Sequence, residues 1–221
     1  MAVLIIAVDG PAAAGKGTLS RRLAEHFRLA HLDTGALYRA TARDVLAAGV
    51  DPADGAAAAA IASRLDPATL GDPALRSEAV GKTASIVSAH PAVRAALLDY
   101  QRNFAYRRRD GLSGAVLDGR DIGTVVCPQA TVKLFVTASL EARSARRLRE
   151  LEAGGGPVDA AAVLADMRAR DERDSQRSAA PLKPADDAVV LDTSGLDAQE
   201  VFEAASAIVR TRLRLSGGSQ A

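Results

Sequence analysis

A chain of 221 residues, 48% apolar and 25% charged, is long enough to bury a sizeable core and suits one domain with an elaboration or two. Its net charge of +1 argues against a general nucleic-acid or membrane binder, since both need a marked basic excess. The single cysteine, Cys127, excludes an internal disulfide and a cysteine-rich metal site, and it fits a reducing compartment.

The first apolar run, Val3 to Val8, is short, continuous and rich in β-branched residues, as expected of a strand buried on both faces of a parallel sheet. It is too short for a signal core and lacks basic residues before it, and no stretch reaches membrane-spanning length, so a cytoplasmic location is expected. The run enters "DGPAAAGKGTLS", Asp9 to Ser20, and a helix is predicted over Thr18–Phe27 with Leu19, Leu23 and Phe27 on one face. A weaker strand, Leu29 to Leu32, precedes Asp33 and a helix over Ala36–Ala48. Residues 49–85 are rich in Ala, Asp, Pro and Gly and read as a small, mainly helical insertion. Val93–Phe104 is helical, and strands follow at Ala115–Leu117 and Val132–Val136.

Residues 139–177 are dense in arginine and interrupted by "AGGGPV", Ala153 to Val158, which ends one helix and opens a turn before the next. A helical hairpin on such an elbow has the shape of a mobile lid, although two solvated helices would have the same periodicity. A last strand, Ala188–Leu191, and a helix over Val201–Leu213 close the chain, and a disordered tail is expected at 216–221. Strands alternating with helices imply right-handed crossovers and a five-stranded parallel α/β sheet flanked by helices. The expected organisation is one domain over 1–215. Its core is 1–48, 86–138 and 178–215, with the insertion at 49–85 and the lid at 139–177.

The glycine loop carries the strongest chemical signal. Gly10 and, after four residues, Gly15 and Lys16 stand between a strand and a helix, where backbone amides from Ala12 to Thr18 converge on phosphate oxygens. Lys16 supplies a point charge for the β- and γ-phosphates. The residue after the lysine normally carries a magnesium-holding hydroxyl; here it is Gly17, and the hydroxyl comes one step later at Thr18.

At the next strand end, Asp33 or Thr34 can cap a helix in which Arg39 offers a forked donor to a second phosphate. Asp118 ends a later strand, where a P-loop enzyme keeps the acidic residue that orients magnesium waters. Arg120 and Asp121 follow, between Gly119 and Gly123. His26, His31 and His90 lack ligand spacing and read as surface or helix-end residues. The run Arg107-Arg108-Arg109 reads as a solvated helix end, and Cys127 as packing. Among Arg143, Arg146, Arg147 and Arg149, one or two are expected to reach a donor nucleotide and the others to face solvent.

The segments "GPAAAGKGT", "LDTGALYR", "ASIVSAHPAVRAALLDYQRNF", "LDGRDIGTVVCP" and "RARDERDSQRSAAPL" closely resemble the bacterial cytidylate kinase family, in order and nearly end to end. The resemblance implies a P-loop nucleoside monophosphate kinase fold, whose members carry the "GKGT" form of the loop. It implies transfer of the γ-phosphoryl group of ATP to CMP or dCMP, with Mg2+ held by Thr18 and, through water, by Asp118. Gly10, Pro11, Ala12, Ala13, Ala14, Gly15, Lys16, Gly17 and Thr18 would bind ATP. By the same resemblance Ser85, Arg94 and Arg177 read the pyrimidine, and Thr34 and Tyr38 add contacts to the acceptor nucleotide. Arg39 and Arg120 clamp its phosphate, Asp121 and Asp174 hold the ribose, and Arg170 reaches the phosphates on lid closure. Lys16, Arg39, Arg120 and Arg170 would thus carry the catalysis.

The partners so implied are small molecules, with no nucleic acid and no membrane, and the protein a monomer. One departure is visible: "LDPATLGDPAL", Leu65 to Leu75, leaves no room for the small antiparallel sheet of the acceptor-side insertion. Two rivals remain: another P-loop kinase of small molecules, acting on UMP or a different acceptor, and a non-catalytic nucleotide switch. A switch reading guanine lacks its "NKxD", because Asn103 is the sole asparagine.

Overall fold

The computed structural model describes residues 3–153 and 158–217. Five strands, β1 (Leu4–Asp9), β2 (Ala30–Asp33), β3 (Gly114–Gly119), β4 (Val132–Thr137) and β5 (Val189–Asp192), form one sheet in the order β2-β3-β1-β4-β5. Every neighbouring pair is parallel, and Val8 and Asp33 both stand opposite Asp118. Consecutive residues of β1 serve opposite faces. Ile5 and Ala7 pack with Leu37, Val45, Leu97 and Leu117, whereas Ile6 and Val8 pack with Leu19, Leu23, Val116, Leu134 and Val209. That is why the run is apolar without alternation.

The first face is covered by α2 (Thr34–Ala47), α3 (Gly55–Ala62), α4 (Glu78–Val87) and α5 (Pro91–Tyr106). The second is covered by α1 (Lys16–Phe27) and α8 (Ala198–Gly217). Segment 49–85 holds no strand among the described residues. It consists of α3, short 3-10 turns at Pro67–Gly71 and Pro73–Arg76, and most of α4. Asp54, Asp66, Asp72 and Ser77 cap these pieces in turn, each side chain accepting a first-turn amide. α4 runs through the boundary expected between residues 85 and 86, so Ser85 lies within a helix.

The arginine-dense segment forms α6 (Leu140–Glu152) and α7 (Ala160–Gln176). The elbow between them lies, at 154–157, outside the described residues. At the C-terminus, Ser216 and Gly217 belong to α8 and not to a disordered tail, because helical hydrogen bonds propagate beyond the last buried residue, Val209. Residues 218–221 lie outside the described residues.

Candidate active site

β1 enters the glycine loop through Gly10, at φ 146. A Cβ there would fall 1.9 Å from the Val136 carbonyl oxygen of β4, so only glycine lets the loop leave between the two strands. Ala13 and Gly15 take left-handed φ values of 56 and 85, which turns successive amides into one concavity. Gly15 caps α1 without a side-chain hydrogen bond, so the first-turn amides stay available to an anion. Lys16 is buried and its Nζ donates to the Pro11 carbonyl at 2.6 Å, across the loop. Burial, and after it the Arg120 guanidinium, holds its ammonium well below the ordinary lysine range.

Asp118 is the penultimate residue of β3, opposite Val8 of β1. Its Oδ2 lies 2.7 Å from His31 Nε2, while the Thr34 hydroxyl donates to its backbone carbonyl at 2.7 Å. His31 is therefore neither a surface nor a helix-end residue, but a half-buried residue of β2 facing a carboxylate. The sequence hid this because the partner is 87 positions away and only the β2–β3 register joins them. Asp33, not Thr34, caps α2, accepting from Ala36 N at 3.2 Å. A Cβ on Gly119 would lie 2.6 Å from Thr34 Oγ1, so this glycine admits the crossing hydroxyl.

The remaining candidates gather around the carboxyl ends of β1 and β3. Arg120 Nε donates to Asp174 Oδ2 at 2.9 Å. Burial alone would raise the Asp174 carboxyl, but Arg120 and Arg170 outweigh it and hold the group below the usual carboxylate range. Arg170 is itself pushed down to about 10, by burial first and then by Arg120. Its Nε and the Nη2 of Arg177 are buried without a hydrogen-bond partner among the described residues.

Arg94 pairs with Asp121, both nearly buried, donates from Nη1 to the Ser88 carbonyl at 3.1 Å, and lies 5.4 Å over the Tyr38 ring. The Tyr38 hydroxyl is raised chiefly by burial. Arg177 Nη1 is 3.9 Å from Asp174, and its Nε donates to the Ala180 carbonyl. Ser85 Oγ accepts from Arg173 Nε at 3.2 Å, joining α4 to α7. Arg39 pairs with Asp33 at 2.5 Å, and its charge is felt at Arg170.

Arg143 is not solvent-facing. It is buried, forks onto Asp171 at 3.1 and 2.7 Å, and donates to the Ala138 carbonyl at 2.9 Å and the Ala12 carbonyl at 3.4 Å. It thereby ties α6, α7 and the glycine loop together. Arg146 binds Thr193, at the end of β5, and Arg147 pairs with Glu150 at 3.2 Å. Arg143 and Arg173 carried no local signal that set them apart from their neighbours in an arginine-rich helix.

Thr18 is exposed in the first turn of α1, and Asp118 offers carboxylate oxygen at the facing strand end. These hard oxygen donors fit Mg2+, which keeps several waters and takes other ligands from substrate phosphates. Among the described residues no group of three or more His, Cys, Asp or Glu is placed to hold a metal ion, and no helix is long and apolar enough to cross a membrane.

A family model described as cytidylate kinase matches residues 6–211. A protein named cytidylate kinase from Rhodospirillum rubrum is 60% identical over 202 residues, covering 91% of this chain and 95% of that one. Another of that name, from Granulibacter bethesdensis, is 62% identical over 209 residues, covering 95% and 98%. Among solved structures, an uncharacterized protein from Eubacterium ventriosum ATCC 27560 superposes with a TM-score of 0.52 at 14% identity, over 95% of this chain and 98% of that one. That last likeness is one of fold alone.

Proposed function

The chain belongs to the cytidylate kinase family, and from that premise we propose that it transfers the γ-phosphoryl group of ATP to CMP or dCMP, giving ADP and the pyrimidine nucleoside diphosphate. One observation carries the reading beyond the family name. Lys16, Arg120 and Arg170 lie near one sheet edge, where Arg120 lowers the proton affinity of both Lys16 and Arg170, and Arg170 lowers that of Lys16. Like charges held together in a low-dielectric site repel, and a pair of polyanionic substrates turns that repulsion into attraction.

The chemistry asks for position and charge more than for a base. An oxygen of the acceptor phosphate attacks the γ-phosphorus, the bond to the β,γ-bridging oxygen breaks, and ADP leaves. Lys16 and the loop amides hold the donor phosphates, while Arg39 and Arg120 hold the acceptor phosphate. Arg170 reaches between them from α7. Ser85, Arg94 and Arg177 read the base, Thr34 and Tyr38 line its approach, and Asp121 and Asp174 take the ribose. Mg2+, with Thr18 and Asp118 as its protein partners, offsets phosphate charge when bound. Segment 139–177 works as a lid that keeps water from the γ-phosphoryl group, and 49–85 as a shortened acceptor-side insertion of a single monomeric cytoplasmic domain.

The test is ADP release from purified protein with magnesium across the common nucleoside monophosphates. CMP and dCMP are expected to turn over fastest; faster turnover with AMP rejects the substrate assignment. Arg120→Ala is expected to lose transfer while keeping ATP affinity, and unchanged turnover removes Arg120 from the mechanism.

A further inference from the structure

Asp9 ends β1, one residue before the glycine loop, with its side chain buried. Both its oxygens accept backbone amides from a segment more than a hundred positions away: Ile122 N binds Oδ1 at 2.8 Å and Gly123 N binds Oδ2 at 2.7 Å. Those amides open a single π-helical turn, Ile122–Val126, that begins directly after Arg120 and Asp121. Asp121 occupies the capping position of that turn, yet its side chain makes no capping bond, since its carboxylate is turned to Arg94.

The turn is therefore capped across the sheet, from β1. Gly123 completes the fit, because a Cβ there would lie 3.1 Å from Lys133 Cδ and 3.4 Å from Asp9 Oδ2. We infer that Asp9 is a positioning residue: by capping this turn it fixes Arg120 and Asp121, and with them the acceptor phosphate and ribose, in register with the donor loop. The inference rests on the acceptor-side roles proposed above.

The capping carboxylate also gives the arrangement a pH dependence. Burial raises Asp9 to about 6, against the pull of the two amides. The charged or titratable groups around it are Lys16 on α1, Asp121 before the turn, Cys127 after it and Lys133 on β4. Ionised, the carboxylate presents an acceptor to each amide. Protonated, one oxygen becomes a donor facing an N–H, and one of the two bonds is lost. The acceptor side thus loosens as pH falls through about 6.

Two measurements test this. The amide shifts of Ile122 and Gly123, followed by NMR without substrate, are expected to move together with a midpoint near pH 6, and to stay still in Asp9→Asn. Kinetics are best read near pH 8, where the acceptor phosphate, which itself titrates around pH 6, is fully ionised. There Asp9→Asn is expected to raise the KM for CMP by on the order of tenfold while leaving the KM for ATP unchanged. Amides of the unmodified protein that do not respond across the range overturn the capping, whether or not the variant folds. Responsive amides with an unaltered CMP KM overturn the positioning role and leave the proposed reaction standing. Absence of CMP turnover in the unmodified protein removes the reaction, and the positioning role with it.

Discussion

Replacing Arg94 by Met tests how the acceptor side is held. The guanidinium pairs with Asp121, their side chains only 10% and 6% exposed, and it also binds the Ser88 carbonyl and lies over Tyr38. Methionine keeps much of the stem's packing, so the loss is mainly electrostatic. Removing one partner of a buried pair costs about 3–5 kcal/mol, because the other charge is stranded, whereas exposed pairs contribute about 0–1 kcal/mol. Arg177 lies near enough to Asp121 to compensate part of it, so about 3 kcal/mol is expected. For a chain of this length that lowers Tm by roughly 6–12 °C.

Denaturant and thermal unfolding of Arg94→Met, Asp121→Leu and the double variant would measure the pair directly. The double variant is expected to recover much of the stability and none of the CMP turnover. A loss below about 1 kcal/mol in Arg94→Met, or additive single effects, would mean that the pair behaves as a surface contact and that the burial argument is wrong.

Gly10→Ala places a methyl group 1.9 Å from the Val136 carbonyl oxygen at a φ that side chains disfavour. It is expected to lower the denaturation midpoint and weaken ATP binding together, and wild-type values for both would contradict the close β1–β4 approach. Cys127 is fully buried, and burial pushes its thiol up to about 11. Ellman's reagent should therefore label the native protein only as fast as it opens, so labelling within the mixing time near pH 8 would contradict that environment.

The parts legible in the sequence are those whose signal is local. β1 could be placed from its unbroken apolar run, and the glycine loop from the spacing of Gly10, Gly15 and Lys16, because a strand buried on two faces and an anion-binding turn each impose their residues on consecutive positions. Likewise the prolines between Leu65 and Leu75 pointed away from strands, and 3-10 turns stand there. Periodicity failed where one helical pattern serves two purposes. Arg143 and Arg149 sit on the same helix in similar local sequence, yet one is buried against Asp171 and the other bonds the Ala145 carbonyl of its own helix.

The residues alone determined the strand–helix alternation, the phosphate-binding loop and, through family resemblance, the substrate class. Only the tertiary structure decided which charges meet. The order β2-β3-β1-β4-β5 puts His31 against Asp118 and carries Asp9 to the amides of Ile122 and Gly123; Arg120 reaches Asp174 on α7. Electrostatic energy depends on distance and burial, and neither is written in sequence separation.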